Sequence, residues 1–137
     1  MRVFADLHIH SRYSRATSQL MNLDKITQFA EVKGLNLMGT GDFTHPKWLE
    51  ELRDGLVEVS GTGLYRPARR PNSPVRFMIT GEVSTIFTYQ DRVRKIHHVL
   101  LTPSIETAIQ INDRLRRYGD LSVDGRPTLS MSAPQLA

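Results

Sequence analysis

The chain contains no cysteine. Disulfides, thiolate zinc sites and cysteine nucleophiles are therefore excluded, and the composition fits a reducing, cytoplasmic interior. No apolar run comes near the ~20 residues that a membrane-crossing helix needs. The N-terminus has no basic region leading into a long apolar run and a small-residue cleavage site, so neither a signal peptide nor a membrane partner is expected. Aromatic residues are sparse at 7% and hydrophobic residues reach 39%, a modest share that is still enough for the core of one domain of 137 residues. Internal repeats and low-complexity segments are absent.

Acidic residues are scarce in one stretch in particular. Between Tyr65 and His97 the basic residues Arg66, Arg69, Arg70, Arg76, Arg92, Arg94 and Lys95 face only Glu82 and Asp91. Arginine supplies 14 of the 18 basic residues, and the net charge is +4. The planar guanidinium fork suits bidentate contact with phosphate oxygens, so these seven residues are candidates for nucleic-acid binding. On charge alone, a solvated loop of a robust protein and a patch that attracts a polyanion are equally good readings.

What the chain does have, at its very start, is "MRVFADLHIHSRYS". A short apolar run ends in an acid and two histidines one residue apart. Strand side chains alternate, which would set His8 and His10 on one face about two rises of ~3.3 Å apart, with Asp6 beneath them as a hydrogen-bond acceptor or weak ligand. Two imidazoles converging at a strand end can share a metal ion.

The pattern along the rest of the chain is strand, helix, strand, helix, strand. Residues 2–7 read as a buried strand, and a helix over 23–32 follows, with Asn22 as N-cap, Gly34 as stop and Leu23, Ile26, Phe29 and Ala30 as its apolar positions. A short strand over 35–41 runs into a glycine turn. Pro46 then opens a second helix striped by Leu49, Leu52 and Leu56. Residues 60–75 read as loop, two strands flank a turn at Gln90 and Asp91, and a third helix runs from about Ser104 to Tyr118. Residues 120–130 read as loop, and "SAPQLA" as the opening turn of another helix. Such an order implies an α/β fold with a parallel sheet or barrel. His8, His10, Asp42, His45 and Glu82 all fall just after predicted strands, where such folds build their sites.

Every histidine lies in one of these clusters: His8 and His10 in "DLHIHS", His45 beside Asp42 in "GTGDFTH", and His97 and His98 in "KIHHVLL", with Glu82 in "TGEVS" between them. Mixed imidazole and carboxylate donors suit Zn²⁺, Mn²⁺ or Fe²⁺. Glu82 can bridge two metals, and a metal pair ~3.5–4 Å apart serves in-line phosphoryl displacement. Competing structural roles exist for His45 (a helix cap) and Asp42 (a turn residue), and strand alternation lets only one of His97 and His98 face the site. The predicted ligand set is His8, His10, Glu82, His97, His98, Asp42 and His45, with His8, His10 and Glu82 as its catalytic members.

These motifs resemble the PHP (polymerase and histidinol phosphatase) superfamily, which has an Asp-x-His-x-His first motif and a distorted, TIM-like β/α barrel. The wording "ADLHIHSRYSRATS…GTGDFTHP…KIHHVLLTPS…DGRPTLSMSAPQLA" is more specific and resembles the endonuclease Q group of DNA-repair nucleases. That resemblance implies two or three divalent ions (Zn, Mn or Mg) per complete domain. It also implies nicking 5′ of deaminated bases or abasic sites in DNA, together with a replication or repair partner. Phe43 and Ala16 stand where the superfamily places further ligands. The closing ligands would lie beyond Ala137, so residues 1–137 are expected to be the N-terminal half of the barrel, with an open edge suited to self-association. Three alternatives are a small-molecule phosphomonoesterase, an amidohydrolase-type barrel, and a PHP-derived module that binds DNA or acts as a scaffold without activity.

Overall fold

A computed structural model describes all residues from Met1 to Ala137. In chain order its elements are β1 (Ala5–Asp6), α1 (Leu23–Lys33), β2 (Leu37–Gly39), α2 (Pro46–Gly55), β3 (Leu56–Val59), β4 (Leu64–Pro67), β5 (Arg76–Tyr89), β6 (Arg92–Thr102), α3 (Ile105–Leu115), β7 (Thr128–Leu129) and α4 (Ala133–Leu136).

The helices start where the sequence predicts, and α1 also stops there, whereas α3 ends at Leu115, short of the expected Tyr118. The Asn22 side chain accepts from the Lys25 N–H, and Gly34 closes α1 in the left-handed region at φ 72°. Pro46 opens α2, and the Ser104 hydroxyl accepts from the Thr107 N–H to cap α3. Their buried faces differ in part from those expected. Phe29 is 53% exposed, so Ile26, Thr27 and Ala30 carry the buried face of α1. Leu56 is buried but belongs to β3, because α2 ends at Gly55.

The sheet departs further from the predicted pattern. Strands β1, β2 and β5 are parallel neighbours, as anticipated, in the register Asp6, Met38 and Phe77. The 60–75 stretch read as loop contains β4, which forms an antiparallel hairpin with β3 around Gly61 and Gly63 and joins the other edge of β5. Beyond this, β5 pairs antiparallel with β6 and, at Ser84 and Thr85, parallel with β7. The seven-stranded sheet is mixed and not closed. The buried strand predicted over residues 2–7 shrinks to two exposed residues. β1 pairs along one edge only, and Val3 and Phe4 stay about half exposed.

The main core gathers Phe43, Trp48, Leu52, Phe77 and Ile79, all fully buried, and Ile105 and Ala108 of α3 join it. Burying each large side chain contributes roughly 1.5–3 kcal/mol. Phe43, which occupies an expected ligand position, is part of this core and packs where a side chain on Gly81 would stand. A second cluster of Val83, Leu115, Leu121, Leu129 and Met131 fastens the 120–131 segment to β5.

Candidate metal centre

The in-step parallel strands explain why distant motifs meet. Four residues beyond the row Asp6–Met38–Phe77 come His10, Asp42 and Gly81, and Glu82 is the next residue. Thr40 and Thr80 continue the β2–β5 pairing past the ladder: the Thr80 N–H donates to Thr40 Oγ1, and the Gly41 N–H donates to Thr80 Oγ1. Gly41, at φ 64°, lets the chain pass against the Ile9 carbonyl, where any Cβ would collide.

Glu82 is the hub. Its Oε2 lies 2.7 Å from His8 Nε2 and 3.2 Å from His10 Nε2, and its Oε1 lies 2.5 Å from His97 Nδ1. The two N-terminal rings stand edge to face with centroids 5.3 Å apart. Burial pushes the Glu82 carboxyl up. Hydrogen bonds from His8 and His97 and the charges of His10 and His8 together outweigh that effect and hold it below its ordinary value. Glu82 is buried while the His8 side chain is half exposed, so the cluster opens to solvent on the His8 side.

Behind His10 sits Asp42, fully buried at φ 51°. Its Oδ1 accepts from His10 Nδ1 at 3.0 Å, while Oδ2 accepts from the Ser11 N–H, the Ser11 hydroxyl and the Ser14 hydroxyl at 2.7, 2.7 and 2.9 Å. With Nδ1 donating, His10 presents Nε2 toward Glu82, the arrangement in which a carboxylate orients a metal-binding histidine. Asp42 therefore stands behind the ligand atoms, where the sequence expected it among them. Asp6 accepts from the backbone N–H of His8 at 3.2 Å rather than from an imidazole, because β1 ends at Asp6 and the strand alternation assumed for His8 and His10 does not extend to them.

The other predicted ligands divide. On β6, His97 turns to Glu82, and His98 turns to the opposite face, where its Nε2 meets Thr85 Oγ1 at 3.0 Å. His45 points away from the cluster: Nε2 donates to the Ser122 carbonyl at 3.2 Å, and the ring stacks on Tyr13 at 4.4 Å. It occupies the N-cap position of α2 without a side-chain capping bond. Burial lowers the pKa of His45, and its Nδ1 has no partner. Ala16 lies in an exposed loop at φ 60°, outside the cluster. Glu82 itself lies inside the long β5 strand rather than just after a strand.

The basic residues do not form one patch. Arg70 is paired with Asp24 at 2.8 Å and Glu31 at 3.5 Å, and Arg76 donates to the Ser73 and Val75 carbonyls. Arg69 and Arg70 line a separate polar cavity of about 700 Å³ between the start of α1 and the end of α2, and Arg66 lies on β4. Arg92, Arg94 and Lys95 are exposed on β6. The sequence reading missed Ser11, Ser14 and Gly125. A Cβ on Gly125 would strike both Asp42 Oδ2 and Ser14 Oγ, so this loop glycine closes the pocket around Asp42. The signal was in "SRYS" and "DGRP", but polar loop residues are too common to single out alone.

The ligand atoms of His8, His10 and Glu82 lie within 4.8 Å of one another, and the ion pairs of Glu82 are with histidine alone, with no Lys or Arg. Two imidazole nitrogens and one carboxylate oxygen fit a divalent ion of borderline character.

No protein-family model matches the chain. It is 35% identical over 132 residues to the uncharacterized protein MJ0043 of Methanocaldococcus jannaschii, which covers 96% of this chain but only 14% of that protein. Among solved structures it is similar to the lesion-specific endonuclease PfuEndoQ from Pyrococcus furiosus, with a TM-score of 0.81 and 33% identity over 98% of this chain and 30% of that one. It is equally similar to endonuclease Q in complex with a 27-mer duplex substrate carrying an abasic lesion at the active site, with a TM-score of 0.82 and 34% identity over 98% and 31% of the two chains. The chain thus corresponds in fold to about a third of endonuclease Q. None of its helices is long and apolar enough to cross a membrane.

Proposed function

We propose that residues 1–137 form the N-terminal part of a PHP-type, distorted β/α barrel that hydrolyses DNA phosphodiesters, nicking 5′ of deaminated bases or abasic sites. The observation that carries this reading is the placement of Glu82, with one oxygen on His8 and His10 and the other on His97. The likeness to endonuclease Q bound to a duplex with an abasic lesion supports DNA as the substrate.

His8, His10 and Glu82 would hold a divalent ion, and Oε1 of Glu82 with His97 offers a second set of donors on the same carboxylate. When bound, such an ion supplies Lewis acidity toward phosphate oxygens and acidifies water. Asp42 holds the Nδ1 proton of His10, which keeps Nε2 as the ligand atom. Half-exposed His8 leaves one side of the cluster open for a phosphate to approach. Glu82 would supply the negative charge that balances the ion.

The test compares the wild-type protein with His8→Ala on a duplex carrying one abasic site, on a deoxyuridine duplex and on nitrophenyl phosphate. Metal-dependent nicking of a duplex, abolished in His8→Ala with binding retained, is the expected result. Nicking that survives His8→Ala removes the cluster from the reaction. Turnover of the monoester alone would instead identify a small-molecule phosphatase.

A further inference from the structure

Beyond Thr85, the β5–β6 hairpin is a two-stranded ribbon with no further strand of residues 1–137 paired to it. β7 pairs with β5 only at Ser84 and Thr85, and no other strand reaches the residues that follow. Both faces of the tip meet solvent: Ile86, Tyr89, Val93 and Ile96 are 36%, 57%, 69% and 40% exposed. The turn takes positive φ at both central residues, 50° at Gln90 and 57° at Asp91, as a tight primed hairpin turn requires. The ribbon is therefore a defined element and not a loose loop. Arg92, Arg94 and Lys95 project from it and make no ion pair. Asp91 is the single acid on the tip.

We propose that this ribbon docks into a groove of duplex DNA that flanks the nicked phosphate, with Arg92, Arg94 and Lys95 gripping the backbone. The inference rests on the phosphodiesterase reading of the Glu82 cluster. Three features on the ribbon favour a duplex. First, the major groove is ~12 Å wide and admits a two-stranded ribbon, whose own strands lie ~4.8 Å apart. Second, a ribbon bare on both faces can meet both walls of a groove, and its basic residues divide between those faces. Lys95 pairs opposite Ile86 and shares the face of Ser84, His97 and Glu82, whereas Arg92 and Arg94 lie opposite Tyr89 and Phe87 on the other face. Third, the reach is right. Ile86 lies four residues and Tyr89 seven residues beyond Glu82, about 13 and 23 Å along a strand, or about four to seven base-pair steps of ~3.4 Å. Of the seven basic residues between Tyr65 and His97, these three are the ones both exposed and continuous with the metal centre. Arg70 and Arg76 have partners elsewhere.

The competing role is defensive. The outer edge of β6 is unpaired, and basic side chains on an edge strand discourage edge-to-edge aggregation.

The deciding measurement is the salt dependence of binding to a labelled duplex with one abasic site, followed by anisotropy and accompanied by circular dichroism and sedimentation. R92Q/R94Q/K95Q is compared with R114Q/R116Q/R117Q, which removes three exposed charges from the end of α3. Losing three phosphate contacts at about 0.9 each should flatten the slope of log affinity against log salt by about 2.7, which makes the affinity ratio between about 50 and 200 mM salt roughly 40-fold smaller. The α3 variant should keep the wild-type slope. An unchanged slope in the ribbon variant, an equal loss in the α3 variant, or new self-association with the slope retained each overturns the proposal. A hydroxyl-radical footprint of the wild-type protein needs no variant: protection about four to seven base pairs from the nick supports the ribbon, and its absence there sinks it. Should the protein bind no metal and nick no duplex, the phosphodiesterase reading falls, while the slope and its α3 control still report on the ribbon.

Discussion

Glu82 Oε2 lies 2.7 Å from His8 Nε2, although 74 residues separate the two in the chain. Converting that carboxylate to an amide keeps the shape and removes the charge. Glu82→Gln is expected to reduce bound Zn²⁺ or Mn²⁺, measured by elemental analysis after dialysis. The loss in affinity should exceed the 10–100-fold that even an outer-sphere partner costs. Full metal content in this variant would remove Glu82 from the ligand set.

Asp42 accepts four hydrogen bonds, three of them from Ser11 and Ser14, so its effect on His10 is positional. Asp42→Asn should lower metal affinity by about 10–100-fold, as for other residues that orient a ligand. Gly125→Ala should act on the same site from the other side, because its Cβ meets Asp42 and Ser14. Overpacking of that kind costs about 1–3 kcal/mol, readable by urea denaturation. Metal affinity should fall with it, and a variant as stable and as metal-competent as wild type would show that the loop yields freely.

His45 is a buried base whose pKa burial lowers from 6.5. Between that lowered value and about 6.5 the unfolded chain binds more protons at this position than the folded one. Its contribution to stability is therefore complete above about pH 6.5 and is lost as the pH falls toward the folded value. A decline in melting temperature is expected as the pH falls from about 7.5 to 5.5, and His45→Gln should flatten it. An unchanged decline would assign acid sensitivity to other groups.

Trp48, the single tryptophan, is fully buried and donates its Nε1–H to the carbonyls of Thr40 and Gly41, at 3.2 and 2.9 Å. It thereby ties α2 to the turn that carries Asp42. Trp48→Phe should cost about 1–3 kcal/mol by leaving those carbonyls without a donor. Circular dichroism is the suitable probe, since the variant loses its indole fluorescence. A loss below about 0.5 kcal/mol would show that water or a neighbour replaces the indole.

The helices could be read from the chain because their signals are local: Asn22 and Gly34 bound α1, Pro46 opens α2, and Ser104 caps α3, each within a few residues of the groups it satisfies. The pairing of His8 and His10 with Glu82 was equally accessible, because few other roles suit an acid in an apolar strand beside a histidine-rich start. Long-range pairing hid the rest. β4 and the turn before it read as a glycine- and proline-rich loop because the strand is short and becomes visible only once it meets β3 and β5. Composition likewise merged seven basic residues into one patch, whereas Arg70 pairs with acids of α1, Arg76 turns back on the Ser73 and Val75 carbonyls, and Arg66 and Arg69 lie apart from Arg92, Arg94 and Lys95 on β6.

The order of side chains along the chain thus dictated which groups are available for chemistry: two imidazoles near the start, a buried acid in the middle and a third imidazole after it. Their roles came from the three-dimensional arrangement. The shared row of β1, β2 and β5 brings Asp42 behind His10 and Glu82 in front of it, while the packing of Tyr13 and Ser122 draws His45 away. The physical reason is one of range: capping and periodicity act over a turn or two of chain, but whether a carboxylate is a ligand or a ligand's support depends on ångström-scale distances between segments that only the assembled sheet brings together.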